Sequence, residues 1–397
     1  MSGSIEKTSR REHVPALDGI RGYGFIAIFI AHYLAPAIDG HRSIGWVNCL
    51  FYVGQLTWMA VPTFFVLSGY LIGGILFNTR DREGFFKVFY GRRILRILPV
   101  YYVMLVVLAC VGYAHGVHLG TLFWSHFIYI QNLLPHYSDS GFAPHFTVIH
   151  LWSLAIEEQF YLTWPIVVWL ARDRAKLLKI IAILCGICFT LRVISPWLHL
   201  SPRRCYLATP TRFDAILLGV GLALVVDHEL FKKLQPLAKY AVAVGTALWL
   251  ISFSTHVADP DNYYRVAVET PLANFTVLAL MVALLETGSV FARVCSVRWA
   301  CWLGRMSYGL YVFHYTYHVW FLQTLRPMLA HYIGPSWAYP ATAAIALAVT
   351  IGLGMLSFQI IERPALSLTK YLRYGPSICT QPVHERAPSF GLAAKQS

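Results

Sequence analysis

The stretch RGYGFIAIFIAH, from Arg21 to His32, places a cation and an imidazole at the two ends of an apolar run of ten residues. An α-helix turns about 100° per residue, so eleven residues complete about three turns, and the two side chains share one face about 16 Å apart. A run this apolar predicts a helix within a lipid bilayer, where ionisable side chains are costly and usually functional. The stretch therefore predicts both a membrane span and a polar site on it.

The composition of the chain is that of a membrane protein. Of its 397 residues, 57% are hydrophobic and only 13% are charged, whereas soluble domains carry about 25% charged residues. The net charge of +13 does not indicate nucleic-acid binding, because the Lys and Arg residues lie between apolar runs rather than in one patch. Basic residues in such positions hold loops on the cytoplasmic side. The sequence therefore predicts a multi-pass membrane protein.

Ten apolar stretches in the sequence are long enough to cross a hydrocarbon core of about 30 Å. They are 16–37, 48–77, 97–114, 151–171, 178–198, 209–227, 237–255, 268–287, 303–323 and 338–360. Placing both termini in the cytoplasm puts most Lys and Arg residues on that side, as the positive-inside rule requires. We therefore predict an all-α fold of about ten transmembrane helices, with an N-terminal tail (1–13), a membrane domain (14–365) and a C-terminal tail (366–397).

One short aromatic stretch, LFWSHFIYIQNLL at 122–134, lies within a segment (115–150) that contains no Lys or Arg. Treating this stretch as a span would invert every later span and destroy the charge bias. We therefore predict a re-entrant or interfacial element near 122–134 that does not cross the membrane.

Basic residues mark the cytoplasmic side of the predicted spans. Arg92, Arg93 and Arg96 lead into the third span, and Arg93 and Arg96 are neighbours on a helix surface because they are three residues apart. Guanidinium groups bind phosphate oxygens bidentately, so this pair suits a phosphate-rich cytosolic ligand. The alternative is that the run anchors the span to anionic lipid headgroups.

Histidines are predicted near the middle of the membrane. His32 is one of them, and Ser307, Tyr311, His314 and His318 form a polar stripe on the ninth span at steps of four, three and four residues. The imidazoles could alternatively serve as interhelical hydrogen-bonding groups. No metal site is predicted, because the chain lacks an HExxH motif or a comparable ligand cluster.

Carboxylates and tyrosines are predicted near the outer side. His150, Ser153, Glu157 and Tyr161 line one helix face at three- and four-residue steps, and Glu158 lies one position round. These groups, with the arginines and histidines, predict a polar path ordered from the cytoplasm as arginines, imidazoles and then carboxylates. Such a path fits a transporter, and it equally fits a site where a histidine acts as base between a phosphorylated donor and an acceptor.

Asp214 enters the membrane two residues after Arg212, and Arg192 lies near the same outer level. The alternative to a functional role for these carboxylates is a structural ion pair with Arg192 or Arg212, because buried charges are tolerated only when they are paired.

Seven motifs occur in a fixed order along the chain: VPALDGIRGYGFIAIFIAHYL, VPTFFVLSGYLIGGIL, RRILRILPVYY, WSLAIEEQFYLTWP, TRFDAILLGVGLAL, LGRMSYGLYVFH and IERP. Together they resemble the integral-membrane acyltransferase-3 family. That family includes O-acetylases of bacterial surface polysaccharides and nodulation factors, and O-acylases of macrolide antibiotics. The resemblance covers residues 14 to about 365, and it implies a single-domain enzyme of the plasma (inner) membrane.

The resemblance implies roles for four residues. The family pairs a basic residue with a His eleven positions later, which Arg21 and His32 match, so His32 is expected to be the catalytic base. An Arg-x-x-Arg motif is matched by Arg93 and Arg96, which are expected to contribute to recognition of acyl-CoA entering from the cytosol. Acyl-CoA is the expected co-substrate, with acetyl the commonest acyl group, and no tightly bound cofactor is expected.

Further site residues are expected from the resemblance and from the polar residues of the spans. In the FFxxSG motif, matched by Phe64 through Gly69, Ser68 and Gly69 are expected to mark a helix break near the site. Ser68, like Arg21, is also a candidate for binding the acyl-CoA donor. A carboxylate is expected to orient His32, and the candidates are Glu157, Glu158 and Asp18, of which Asp18 could instead pair with Arg21. Tyr161, Asp214, Tyr311 and His314 are further candidates for the lining of the polar path.

Two hypotheses follow from the sequence. The first is an acyl-CoA-dependent O-acyltransferase that acts on a hydroxyl of a carbohydrate, a lipid-linked glycan or a glycosylated metabolite such as a macrolide. The second is a non-catalytic transporter or exporter that uses the same polar path, against which the absence of an obvious internal repeat counts mildly. The expected partners are acyl-CoA, the acceptor and the lipid bilayer, and self-association is left open.

Overall fold

The computed structural model describes residues 14–34, 54, 57, 60–134, 137, 141–143, 145–256, 262–286 and 288–378, and it confirms the all-α prediction. The principal helices are Pro15–Tyr33 (α1), Ala60–Thr79 (α2), Phe85–Ala114 (α3), Trp152–Ala171 (α4), Arg174–Ile194 (α5), Thr209–Val225 (α6), Ala238–His256 (α7), Thr270–Leu284 (α8), Arg298–Arg305 (α9), Ser307–His314 (α10) and Pro335–Ser357 (α11).

Shorter elements join these helices. The short α-helices are Thr121–Ser125, Pro202–Leu207, Glu229–Leu234, Val290–Cys295, His318–Trp320, Arg326–Ile333 and Arg363–Ser367. Three segments are π-helical, namely Arg265–Glu269, Phe321–Leu325 and Phe358–Glu362. Two short antiparallel strands, Gly141–Ala143 (β1) and Phe146–Thr147 (β2), pair with each other.

Seven helices among the described residues are long and apolar enough to cross a membrane. They are Ala60–Thr79, Phe85–Ala114, Arg174–Ile194, Pro202–Val225, Phe231–Ser254, Arg265–Leu284 and Pro335–Tyr371, and each overlaps one of the predicted spans. The predicted spans 16–37, 151–171 and 303–323 are also helical, as α1, α4 and the shorter helices from α9 to Phe321–Leu325. Polar site candidates lower the hydropathy of α1 and α4, and the 303–323 span is divided into short helices.

Residues 121–133 contain no helix long enough to cross a membrane. The five-residue helix Thr121–Ser125 is followed by 3-10 turns at His126–Ile128 and Gln131–Leu133. Trp124 and Ile128 are 58% and 66% exposed. This exposed apolar surface agrees with the predicted interfacial element, because aromatic and aliphatic side chains favour the membrane boundary.

Different segments of the chain pack together at the two ends of the helix bundle. At the end where α1 begins, here called the basic end, residues 372–378 lie against residues 81–83, with the Ile378 amide donating to the Asp81 carbonyl at 2.8 Å. Residues 366–378 of the predicted C-terminal tail therefore lie against the membrane domain, and residues 379–397 lie outside the described residues. At the opposite end, α1 ends beside His318, whose Nε2 lies 2.9 Å from the His32 carbonyl oxygen.

Helices α2 and α6 cross at very short distance through two glycines. A Cβ at Gly69 would overlap the Ile216 carbonyl oxygen, and a Cβ at Gly219 would overlap the Val66 carbonyl oxygen. Small residues allow this close approach, which is how helices associate in lipid without a hydrophobic driving force between them. The crossing fixes α2, which lines the site described below.

We expect the Gly219→Ala variant to be destabilised by about 1–3 kcal/mol, because the new methyl group has no room against α2. Gly221→Ala is the matched control, since a Cβ there meets only an Ile181 methyl at 3.9 Å. Both changes replace glycine by alanine on one helix, so their effects on helix propensity are equal. Thermal unfolding of the purified protein in detergent measures the difference, and equal melting temperatures would contradict the packing described.

Candidate active site

A cavity of about 270 Å³ lies between α1, α2, α3, α4 and α10. On α2 its lining runs from Val61 to Ile75, so the cavity extends about 21 Å along that helix. Its polar lining residues are Arg21, Ser68, Arg93, Arg96, Ser153, Glu157, Glu158, Tyr161, Ser307, Tyr308 and Tyr311. Eight of the twelve residues predicted as site candidates therefore meet at one place, and the sequence assigned them to five separate segments.

Three guanidinium groups face this cavity from two helices. Arg21 comes from α1, and Arg93 and Arg96 come from α3. Arg21 forms a long ion pair with Asp18, 3.9 Å between Nη1 and Oδ1, which is the alternative role considered for Asp18. The lining itself carries these three guanidinium groups and two carboxylates, those of Glu157 and Glu158.

Glu157 lies at the centre of a hydrogen-bonded group in the cavity wall. Ser68 Oγ donates to Glu157 Oε1 at 3.1 Å, and the Tyr161 hydroxyl donates to Glu157 Oε2 at 3.2 Å. The Arg93 guanidinium lies over the Tyr161 ring, 5.9 Å from its centroid. These bonds hold the carboxylate beside the arginines. The predicted helix break at Ser68 is wrong, because α2 is unbroken from Ala60 to Thr79.

The predicted order of polar groups across the membrane is wrong for the carboxylates. Glu157 and Glu158 share the cavity with the arginines, whereas His32 is the penultimate residue of α1, at the opposite end. The reason is the position of the helix ends. Because α4 begins at Trp152, Glu157 lies more than one turn inside the bundle.

The histidines form a separate cluster at the opposite end from the basic residues. The ring centroid of His314 lies 5.3 Å from that of His32 and 5.1 Å from that of His150. The Tyr315 ring lies 4.2 Å from the His32 ring and 4.4 Å from the His318 ring. We call these five residues the imidazole cluster. None of the five residues of the imidazole cluster is among the described residues that line the cavity.

His150 and Tyr315 were not singled out by the sequence as neighbours of His32. His150 Nε2 lies 3.1 Å from the Val312 carbonyl oxygen, so its imidazole turns toward α10 and away from the face that it shares with Glu157. The one sequence feature that pointed to a histidine cluster was the polar stripe on the ninth span, which contains His314 and His318. That stripe gave no indication of which helix would pack against it.

Tyr311 joins the cavity to the imidazole cluster. Its hydroxyl lies 2.5 Å from Ser153 Oγ and donates to the His150 carbonyl at 2.9 Å. Its ring lies 5.2 Å from the His314 ring, and both Tyr311 and Ser153 line the cavity. The cavity and the cluster therefore meet at these two hydroxyl groups.

No three His, Cys, Asp or Glu side chains in the described part of the chain are placed to hold a metal ion. The imidazole cluster is held instead by ring packing and by bonds to backbone carbonyls, such as that between His314 Nδ1 and the Tyr311 carbonyl oxygen at 2.7 Å.

Asp214 is a structural residue in this fold. Its Oδ2 accepts hydrogen bonds from Arg192 Nη2 at 2.7 Å and from Asn274 Nδ2 at 3.1 Å, and both partners are buried. It lies outside the described lining of the cavity, so the ion-pair alternative holds for Asp214. Arg212 instead packs over the Tyr206 ring, with 4.5 Å between the guanidinium carbon and the ring centroid.

Comparison with known proteins gives a consistent result. The model of the acyltransferase domain family Acyl_transf_3 matches residues 14–358. The chain is 30% identical over 387 residues to the peptidoglycan O-acetyltransferase OatA of Listeria monocytogenes, which covers 91% of this chain and 57% of the relative. It is 29% identical over 385 residues to the putative peptidoglycan O-acetyltransferase YrhL of Bacillus subtilis, covering 90% of this chain and 56% of the relative.

A putative O-acetyltransferase of Staphylococcus aureus (strain COL) is 25% identical over 388 residues, covering 90% of this chain and 58% of that protein. The chain thus spans somewhat more than half the length of these relatives. No solved structure gives a significant match.

Proposed function

The chain belongs to the acyltransferase-3 family, and on that premise we propose that it transfers an acyl group from acyl-CoA to a carbohydrate hydroxyl, with His32 as general base. The observation that carries the proposal is the cavity with three guanidinium groups, joined through Ser153 and Tyr311 to the imidazole cluster. A membrane acyltransferase needs a site for an anionic donor and a base next to it, and these two regions supply them.

The cavity supports binding of acyl-CoA. Coenzyme A carries a pyrophosphate and a ribose phosphate, and guanidinium groups bind phosphate oxygens with two parallel hydrogen bonds. Of the two α3 arginines that line the cavity, Arg93 lies nearer the beginning of the helix. That beginning is at the basic end, which the positive-inside rule assigns to the cytoplasm. With its phosphates at the arginines, the extended arm of the coenzyme would follow the cavity and bring the thioester toward Tyr311.

The imidazole cluster supports general-base catalysis at the acceptor. In the proposed step His32 takes the proton of the acceptor hydroxyl while its oxygen forms a bond to the acyl carbon. The bond between that carbon and the CoA sulfur breaks, and the thiolate of CoA leaves and is protonated by solvent. Neutral imidazole suits this task, and the apolar surroundings of the cluster favour the neutral form over the charged one.

The hydroxyl groups of Ser153 and Tyr311 are proposed to fix the geometry between the cavity and the imidazole cluster. Tyr311 donates to the His150 carbonyl, and the two hydroxyls bond to each other at 2.5 Å, so their protons are used within the protein. Both hydroxyls line the cavity where it meets the imidazole cluster. Glu157, held by Ser68 and Tyr161, is proposed to keep the arginines in place rather than to orient His32 directly.

The acceptor class rests on the relatives. One of them is named a peptidoglycan O-acetyltransferase, a second a putative peptidoglycan O-acetyltransferase and a third a putative O-acetyltransferase. We extend this to a glycan or glycosylated hydroxyl for the present chain, with acetyl as the acyl group, in the bacterial inner membrane.

The direct test uses the purified protein in detergent with acetyl-CoA labelled in the acetyl group and a mixture of cell-envelope glycans and glycosylated metabolites from the host. The proposal predicts free CoA and a labelled O-acetyl ester, identified by mass spectrometry and by its loss in mild base. A transporter predicts the reverse, namely flux of a solute across reconstituted vesicles with no acylated product, and that result would overturn the proposal.

A further inference from the structure

The end of the cavity near the imidazole cluster combines hydroxyl groups with apolar side chains. Ser153 and Tyr311 line it, and the apolar lining residues there are Ile28, Val61, Phe64 and Leu154. If the phosphates of the donor bind at the arginines, its acyl chain lies among these apolar side chains.

Phe64 is the apolar lining residue that packs beside Tyr311, which joins the cavity to the imidazole cluster. Its ring centroid is 6.2 Å from that of Tyr311, whose ring packs in turn beside His314 at 5.2 Å. On its other side the ring lies against α1, where a Cβ at Gly24 would come within 2.9 Å of the Phe64 Cε2 atom. The ring is therefore held between α1 and Tyr311, and it faces the cavity.

From this position we propose that Phe64 narrows the cavity beside Tyr311 and limits the donor to short acyl chains. The inference rests on the proposed function, since it assigns the acyl subsite of the same reaction. A phenyl ring fills the space that several methylene groups of a longer chain would need. A narrow, packed pocket rejects such a chain because the atoms of its wall cannot give way at low cost.

The neighbouring glycine allows a change in the opposite direction. In Phe64→Ala the space of the ring becomes available to the donor, so longer chains gain contact area worth about fourfold in affinity for each buried methylene. In Gly24→Ala the new methyl group moves the ring away from α1, toward Tyr311 and the cavity that both residues line. The first variant should therefore accept longer chains, and the second should restrict the donor further toward acetyl.

The experiment measures kcat/KM for acetyl-, propionyl-, butyryl- and hexanoyl-CoA with the purified full chain. We expect Phe64→Ala to raise the ratio of butyryl to acetyl transfer about tenfold or more, and Gly24→Ala to lower the ratio of propionyl to acetyl transfer. Because each ratio is internal to one variant, differences in protein yield cancel. Phe64→Leu, which keeps an apolar side chain, replaces Phe64→Ala where the larger truncation does not accumulate.

Phe160→Ala is the matched control, because Phe160 is fully buried against Trp164 and lies outside the described cavity lining. Its chain-length ratio should equal that of the parent. An unchanged butyryl ratio in both Phe64 variants, with acetyl transfer retained, would overturn the role of Phe64 alone. Absence of transfer from every acyl-CoA by the parent protein would instead overturn the proposed function.

Discussion

Replacing His32 by alanine is expected to lower kcat for acyl transfer about 10²- to 10⁴-fold, which is the usual contribution of a general base. Without the imidazole at position 32, the proposed base that takes the proton of the acceptor hydroxyl is missing. The affinity for acyl-CoA should stay near that of the parent, because His32 lies outside the described lining of the donor cavity. Initial rates with labelled acetyl-CoA, measured at equal amounts of folded protein, test this.

The matched control is His331→Ala. His331 lies on the short helix Arg326–Ile333 and is exposed, so its loss should leave the rate unchanged. Transfer by His32→Ala at the parental rate would show that another group acts as base. Loss of the protein from the membrane would show instead that the ring packing of His32 with His314 and Tyr315 is structural.

Replacing Arg93 and Arg96 together by alanine is expected to raise KM for acyl-CoA about 10²- to 10⁴-fold, with a smaller change in kcat. Each guanidinium would donate charge-assisted hydrogen bonds to phosphate, which contribute about 1.5–3 kcal/mol apiece. Arg93→Lys keeps the charge but loses the bidentate geometry, so it should fall between the parent and Arg93→Ala. Steady-state kinetics over a range of acyl-CoA concentrations separate KM from kcat.

Arg92→Ala is the decisive control for this prediction. Arg92 is adjacent in sequence, but its guanidinium donates two hydrogen bonds to the Leu372 carbonyl, at 2.7 and 3.0 Å, and lies outside the described lining of the cavity. Its replacement should leave KM nearly unchanged. If the α3 arginines served only to anchor the helix to anionic lipid headgroups, Arg92→Ala and Arg93→Ala would change KM to a similar extent. That result would contradict the proposed donor site.

The helices were predictable from the sequence because apolar length is a local property of the chain. The described part of each predicted span is largely helical, whereas residues 35–37 of the first span and most of 48–59 of the second lie outside the described residues. The exact number of spans and the side of the membrane on which the termini lie stay predictions. The residues at which the helices end could be predicted less well. The first span was predicted to extend to residue 37, whereas α1 ends at Tyr33, and this difference moves His32 from mid-span to the end of a helix.

The composition of the site could be predicted, but its arrangement could not. The motifs identified Arg21, Arg93 and Glu157 as site residues, and these three line one cavity. Which groups meet across helices depends on helix rotation and packing. The sequence joined His150 to Glu157 on one face of α4, whereas the structure places His150 beside His314. Arg92 and Arg93 likewise separate, because consecutive residues on a helix point about 100° apart.

The central claim is that the donor arm occupies the cavity beside Glu157, and the most direct measurement is protection of a cysteine placed there. In Ser68→Cys, a small membrane-permeable alkylating reagent should modify position 68 slowly enough to follow by peptide mass spectrometry. At a CoA concentration about ten times its Kd, the rate should fall about tenfold, since only about one tenth of the protein is free of ligand. Ser254→Cys, at an exposed position on α7, should react at the same rate with and without CoA. An alkylation rate at position 68 that is unaffected by bound CoA would contradict the account.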